Sequence, residues 1–307
     1  MGQKRKNNVN DNYFDIIDTQ EKAYIFGLFY ADACNYEDIG NIKIDLMIDD
    51  YDLLQRISNI ISYTGSLKIY DKEKFKVFDG KEYECKPSVR LLIHSKHMSE
   101  QLAKKGCVKH KSSIATFPNK SDIPDNLLKH FIRGYMDGNG GISYWVDNEN
   151  TGHKKFQINF CGTTSIINTL AKMLGDKFDC SPAISDRFPD RDNNNLQMNT
   201  CGNRVVKRIL DWLYTDATIY MQRKYDKYLI LLDEVKRVDN DNTLYGNAYK
   251  RRPVIDLETK EIYPTVNGAG KAFGVQGSTI YSWCHKHYKV MYLDEYEALQ
   301  AEQNKIA

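Results

Sequence analysis

Apolar and polar positions change their period several times along the chain. Residues 20–32 are apolar almost all round (Ala23, Tyr24, Ile25, Phe26, Leu28, Phe29), which predicts a helix buried on most sides. Asp18 and Glu21 stand before it with capping-box spacing. NIKIDLMI (41–48) alternates like a half-buried strand, and DYDLLQRISNIIS (50–62) returns to helical spacing. SLKIYDK and CKPSVRLLIHS read as strands joined by a Lys-, Asp- and Gly-rich connection, and 97–105 reads as a short helix. The order recurs after Pro124. A helix over 126–138 precedes strands at GISYWV and KFQINFCG, a helix over 164–174, strands near 178–186 and 194–201, and helices over 202–213 and 219–236. The series helix, two strands, helix, two strands, helix thus occurs twice, 107 residues apart counted from Asp32 to Asn139. Such a spacing marks a divergent duplication, not a solenoid, whose repeats are ~20–50 residues long.

The pattern divides the chain into a flexible polar arm (1–17), two matching halves (18–118 and 119–237), a linker (238–253) and a last segment (254–307). In that last segment VIDLETKEIYPT reads as a hairpin. NGAGKAFGVQGSTIYSWCHKHY reads as a helix, a turn at Gly274-Val275, a cap at Ser278 and a second helix through Trp283, the spacing of a helix-turn-helix.

Composition narrows the picture. A length of 307 residues with 41% hydrophobic positions supports two or three packed domains. A net charge of +2 neither announces nor excludes a nucleic-acid partner, because binding depends on local basic surface. The 21 tyrosines suit strands with amphipathic faces. Seven scattered cysteines without a CxxC pair point to reduced thiols in a cytoplasm and to no structural zinc. The histidines of HSKH and HKH lack a second ligand pair and read as surface residues. MGQKRKNNVNDN has no apolar core, so no secretory signal is expected, and Lys6 stands where a myristoylation signal wants Ser or Thr. No run approaches the ~18 apolar residues of a membrane span.

The chemistry lies in the two opening helices. Ala23, Gly27 and Ala31 line one stripe of the first, and Gly134 and Gly138 one stripe of the second. Two such stripes can press backbone on backbone and bring both helix ends to one point. An acid there, Asp32, sits unfavourably at the negative end of a helix dipole, and a divalent cation would relieve it. Mg²⁺ favours such oxygen ligands and could activate water and stabilise the leaving oxygen of a phosphodiester. Small residues in a buried helix also serve plain packing. Two copies, each opening a matching series, favour the site.

IFGLFYADA (25–33) and IRGYMDGNG (132–140) resemble the two copies of the LAGLIDADG motif of homing endonucleases. The resemblance covers about residues 18–236, and GCVKHKSS (106–113), HFIRGYMDG (130–138) and YMQRKYDKY (220–228) are similar to the family's flanking segments. It implies an α+β fold of two pseudo-symmetric αββαββα halves packed through the motif helices, with antiparallel sheets over a DNA major groove. It further implies a monomer that cuts both strands of a long, nearly asymmetric duplex site with Mg²⁺ or another divalent cation such as Mn²⁺. By the same resemblance Asp32 is a metal ligand, Asn139 occupies the matching place, and Lys111 and Lys224 lie near the scissile phosphates. Two residues depart from the motif: Ala33 replaces a Gly and Asn139 replaces the second acid. Asp137 is a poor substitute, since i and i+2 do not share a helix face. Cutting with weaker metal binding, nicking of one strand, and DNA binding without cutting, as in a regulator, all remain open. An intron maturase that binds RNA is a further rival, disfavoured by the helix-turn-helix spacing.

Alternating positions that could face bases are Lys43 and Asp45, Lys68 and Tyr70, Arg90, Tyr144, Gln157 and Asn159, and Gln197 and Asn199. The plain alternative is the wet face of an antiparallel sheet. VIDLETKEIY, AGKAFGV and STIYSWCHKHY resemble the DNA-binding segments appended to phage homing endonucleases. That likeness implies phosphate contacts by Lys250, Arg251 and Arg252, and a groove helix carrying Ser278, Thr279, Tyr281 and Lys286, in a phage-encoded or bacterial cytoplasmic protein.

Overall fold

In the computed structural model, residues 7–70, 75–78, 80–84, 87–149, 151–187, 194–240 and 252–306 are described. The chain forms two units, Met1–Val235 and Lys236–Ala307.

The first unit carries the repeated series. Its first half runs α1 (Gln20–Asp32), β1 (Cys34–Tyr36), β2 (Asn41–Met47), α2 (Tyr51–Ile60), β3 (Lys68–Tyr70), β4 (Phe75–Phe78), β5 (Lys81–Glu84), β6 (Ser88–His94), α3 (Lys96–Lys104) and α4 (Lys111–Ile114). The second half runs α5 (Leu128–Asn139), β7 (Gly140–Asn148), β8 (His153–Gly162), α6 (Thr164–Phe178), β9 (Ala183–Asp186), β10 (Leu196–Cys201), α7 (Asn203–Tyr214) and α8 (Gln222–Asn240). The two sheets have one topology, β1-β2-β6-β3 and β7-β8-β10-β9, and every pairing is antiparallel. The α+β class and the duplication therefore stand. A two-stranded hairpin, β4 with β5, sits in the stretch expected to be a plain connection.

Alternation places each sheet. Ile42, Ile44 and Leu46 of β2 and Val89, Leu91 and Ile93 of β6 face inward onto Leu54, Ile57, Met98 and Leu102; Phe156, Ile158, Phe160 and Met198 do the same in the second half. Residues 23–31 of α1 are buried without exception, as an all-apolar helix requires. Thr19, not Asp18, caps this helix, its hydroxyl accepting the Lys22 N–H at 3.2 Å, while Asp18 pairs with the Lys22 ammonium at 2.8 Å.

The flexible arm expected over residues 1–17 is corrected from residue 7 onward. Val9, Tyr13, Phe14 and Ile17 are buried, Phe14 lies 5.6 Å from the Phe29 ring, and Asn10 N–H donates to the Ile61 carbonyl at 2.9 Å. Four apolar side chains in a polar stretch are enough to anchor it, each contributing ~1.5–3 kcal/mol when buried.

The second unit is a three-stranded sheet, with β11 (Val254–Asp256) between β12 (Ile262–Tyr263) and β13 (Val290–Tyr292), and with helices α9 (Val266–Phe273), α10 (Gly277–Lys286) and α11 (Leu293–Ile306). Val254, Val266, Ala269, Ile280, Cys284, Val290 and Tyr292 form its core. Gly274, at φ +65°, ends α9 in the left-handed conformation. The cap of α10 is Gln276, so Ser278 lies in the first turn and not before it. Most of the predicted linker, with Lys250 and Arg251, lies outside the described residues. No helix among the described residues is long and apolar enough to cross a membrane.

Candidate functional site

The small-residue stripes bring α1 and α5 into direct backbone contact. A Cβ on Gly27 would collide with the Phe131 carbonyl oxygen and come within 2.9 Å of Tyr135 N. A Cβ on Gly134 would collide with the Tyr24 carbonyl oxygen and come within 2.9 Å of Leu28 N. Tyr24 and Leu28 hold in α1 the places that Phe131 and Tyr135 hold in α5, so the contact is two-fold in character. Further along, a Cβ on Gly138 would collide with the Ala31 methyl and come within 3.1 Å of Asp32 Oδ2. The helix ends thus converge, and the Asp32 carboxylate rests against the partner helix where any larger side chain would displace it.

A lysine closes each helix end. Lys111 Nζ donates to the carbonyl oxygen of Ala33, the residue that ends α1. Lys224 Nζ donates to the carbonyls of Met136 (2.6 Å), Asp137 (2.7 Å) and Gly140 (2.9 Å) at the end of α5. These carbonyls lie in the last turn or at the cap of each helix, where few N–H partners remain (the Met136 carbonyl also takes the Gly140 N–H), and a cation suits the negative end of the dipole. Lys224 is only 4% exposed, and burial lowers its pKa to about 8. Burial pushes the Asp32 carboxyl up to about 6, against the pull of Lys224, Lys111 and Arg223.

Asp137 has another task. One of its oxygens accepts from Tyr24 OH (2.7 Å) and from the Met221 N–H (2.9 Å), tying α5 to α1 and to the start of α8. Burial raises its pKa. Asn139 instead lines a cavity of about 190 Å³ with Lys111, Tyr135 and Thr163. Its amide lies near the Tyr135 hydroxyl, which donates to the Cys161 carbonyl at 2.8 Å.

Sequence reading missed Asp50 and Arg223. Asp50 stands at the start of α2, is 5% exposed, and accepts from Arg223 Nε at 3.1 and 3.2 Å. Its charge acts on both Asp32 and Lys224. The word QRKY does place an arginine beside the lysine, but nothing local announces a partner 173 residues away. Among the described residues no group of three or more His, Cys, Asp or Glu side chains forms a metal cluster. The donors present, one carboxylate and one amide, fit a cation such as Mg²⁺ that takes one or two carboxylates and completes its shell with water and substrate phosphate.

The outer sheet faces differ between halves. In the first, Arg90 donates to Asp45 at 2.6 and 2.9 Å and lies 4.3 Å over the Tyr70 ring; Lys43 is 3.8 Å from Asp45, and Lys68 pairs in register with Arg90. In the second, Gln157 and Gln197 both donate to Asn199 Oδ1, at 2.7 and 2.9 Å, with Asn159 opposite Asn199. Tyr144 is corrected. It pairs with Phe156, its ring 4.9 Å away on the inward side, and Trp145 takes the outer face.

In the second unit, Ser278, Thr279 and Lys286 share an open groove of about 590 Å³ with Ser282, Trp283 and Tyr288. Tyr281 packs against His285 instead, the rings 4.3 Å apart. Arg252 is held by Asp294 (2.6 Å) and Glu295 (2.9 Å) and lies 4.0 Å over Tyr292. Its guanidinium is engaged inside the unit rather than presented for phosphate.

No family profile and no curated protein matches the chain. Among solved structures it is similar to the LAGLIDADG homing endonuclease I-GzeII in complex with its DNA target, at 13% identity and a TM-score of 0.46, over 74% of this chain and 94% of that one. It is similar to I-LtrWI bound to target DNA, at 12% identity and 0.43, over 75% and 93%. It is also similar to the meganuclease I-AabMI bound to uncleaved DNA, at 14% identity and 0.43, over 70% and 91%.

Proposed function

We propose that this protein is a site-specific, divalent-metal-dependent DNA endonuclease that acts as a single chain. The carrying observation is the glycine-packed pair α1 and α5, which brings Asp32 against the end of the opposite helix while Lys111 and Lys224 close the two ends. Asp32 and the Asn139 carbonyl oxygen would hold the cation, which when bound supplies an activated water and charge stabilisation at phosphate. Lys111 and Lys224 keep positive charge beside the reacting phosphodiester, where a fixed cation is worth most in the transition state. Because both ammoniums are also bound to helix carbonyls, they are pre-positioned and need no reorganisation.

Duplex DNA is the substrate the sheet faces suit. Arg90 is fixed by Asp45 and Tyr70, and the amide row of Gln157, Asn199 and Gln197 is suited to adenine edges. Since the two faces differ, the target is asymmetric. The groove around Ser278 and Lys286 would add a second contact, raising affinity through effective concentration.

The test is a supercoiled plasmid carrying the uninterrupted allele of the gene's own locus, incubated with Mg²⁺. Relaxed or linear product that disappears with Asp32→Ala or with EDTA supports the reading. Tight duplex binding with no product at any Mg²⁺ concentration would make the chain a DNA-binding regulator, the reading that Asn139 favours. Preference for structured RNA over duplex DNA would favour a maturase.

A further inference from the structure

The two ends of the helix pair are not chemically equivalent, and the difference extends past Asn139. Around Asp32 stand Lys224, Lys111, Arg223 and Asp50. By chain order the matching positions are Asn139, Thr163, His110 and Lys111, of which Asn139, Thr163 and Lys111 line one cavity together with Arg187. The match follows from the fold: Asp50 opens α2 and Thr163 opens α6, each the helix after the second strand of its half, while Arg223 and His110 each precede the closing lysine.

The opening residues also behave differently. Thr163 caps its own helix, accepting the Ile166 N–H, and donates to the Ala115 carbonyl. Asp50 makes no cap bond with α2. Its buried carboxylate is turned to Arg223 instead, and the guanidinium is half-exposed beside Asp32 and Lys224. Asp32 thus has near it a second carboxylate, the arginine which that carboxylate holds, and both lysines. Asn139 has beside it a hydroxyl with both hydrogen-bonding roles taken, in a cavity lined by Lys111 and Arg187 but, among the described residues, by no Asp or Glu.

Resting on the endonuclease reading, we propose that only the Asp32 end is equipped for hydrolysis, with Asp50 and Arg223 as its positioning residues, so that the protein cuts one strand of its target and leaves the other intact. Asp50 fixes the guanidinium, which orients the phosphate of the strand lying at Asp32. A guanidinium held by a buried carboxylate is pre-organised for a phosphate as a free surface arginine is not.

The experiment uses the full chain and a duplex recovered by binding selection from a randomised DNA pool, with each strand end-labelled in turn. Cleavage of one strand, with the other slower by roughly a hundredfold or more, is expected. Asp50→Asn and Arg223→Ala should each lower kcat on that strand by roughly tenfold or more with KM nearly unchanged, and Arg223→Lys should recover part of it. The pair Asn139→Asp with Thr163→Asp should raise cutting of the resistant strand. Equal rates on the two strands overturn the proposal while leaving the endonuclease reading intact. So does unchanged kcat in Asp50→Asn and Arg223→Ala. A bound duplex cut on neither strand overturns the endonuclease reading itself.

Discussion

Replacing Gly134 by Ala tests whether the helix pair is set by backbone contact. The new methyl would collide with the Tyr24 carbonyl oxygen and stand 2.9 Å from Leu28 N, where ordinary contact begins at 3.4 Å. Neither neighbour is a side-chain tip that can rotate away, so the helices must part. A separation of about 1 Å forfeits a quarter to a half of the dispersion energy of the facing atoms. Overpacking of this kind costs ~1–3 kcal/mol, and backbone on both sides puts it at the upper end. Ala recovers ~1 kcal/mol through helix propensity. The net expectation is a loss of about 2 kcal/mol, or a Tm lower by roughly 4–8 °C in a unit of this size. Gly27→Ala should cost about the same, because its methyl meets the equivalent carbonyl of Phe131. The double variant should lose less than the sum, since one rigid separation relieves both collisions. Gly268→Ala is the control: its nearest neighbour, Thr265 Oγ1, is at 3.4 Å, so it should be neutral or stabilising. Urea and thermal unfolding followed by circular dichroism measure all four. A Gly134→Ala variant as stable as the parent, or a strictly additive double variant, would refute the backbone-contact account.

Asp32 carries a folded-state pKa of about 6, above its unfolded value, so its ionised form opposes folding and stability falls as pH rises from about 4 to 6. Asp32→Asn should therefore be more stable than the parent at neutral pH, by at most roughly 3 kcal/mol and less after solvent screening, with the difference vanishing below about pH 4. Denaturation at several pH values would show it, and a less stable variant at neutral pH would count against the desolvated carboxylate. Asp137→Ala should lose ~2–4 kcal/mol by stranding the Tyr24 hydroxyl and the Met221 N–H, while Asp137→Asn keeps an acceptor and should leave Mn²⁺ affinity unchanged. Mn²⁺ titration by calorimetry separates it from Asp32→Asn, which should weaken binding. Lys286→Ala should reduce the salt dependence of duplex binding by about one counterion, whereas Arg252→Ala should destabilise the second unit and leave the salt slope as it was.

Local pattern carried a large part of this structure. The helical and alternating periods gave the order of both halves, because burial of one face repeats every few residues and is written into neighbouring positions. The stripe of Gly27, Ala31, Gly134 and Gly138 foretold the close helix pair for the same reason: small residues four apart lie on one face whatever the rest of the chain does. It also placed Asp32 and Asn139 at matching helix ends. Short pieces escaped: the anchored stretch from residue 7, the β4–β5 hairpin, β13 and α11 are too brief or too polar to set a period. What each charged group does was decided in three dimensions. Arg90 finds Asp45 across 45 residues, Asp137 finds Met221 across 84, and Arg223 finds Asp50 across 173. An ion pair between distant positions depends on how strands register and helices cross, and no local spacing encodes that. The sequence by itself determined a duplicated scaffold whose two helix ends meet. Only the tertiary structure decided that Asp32 gathers a second carboxylate, Asp50, and the arginine it holds, while Asn139 shares its cavity with a capping threonine, Lys111 and Arg187.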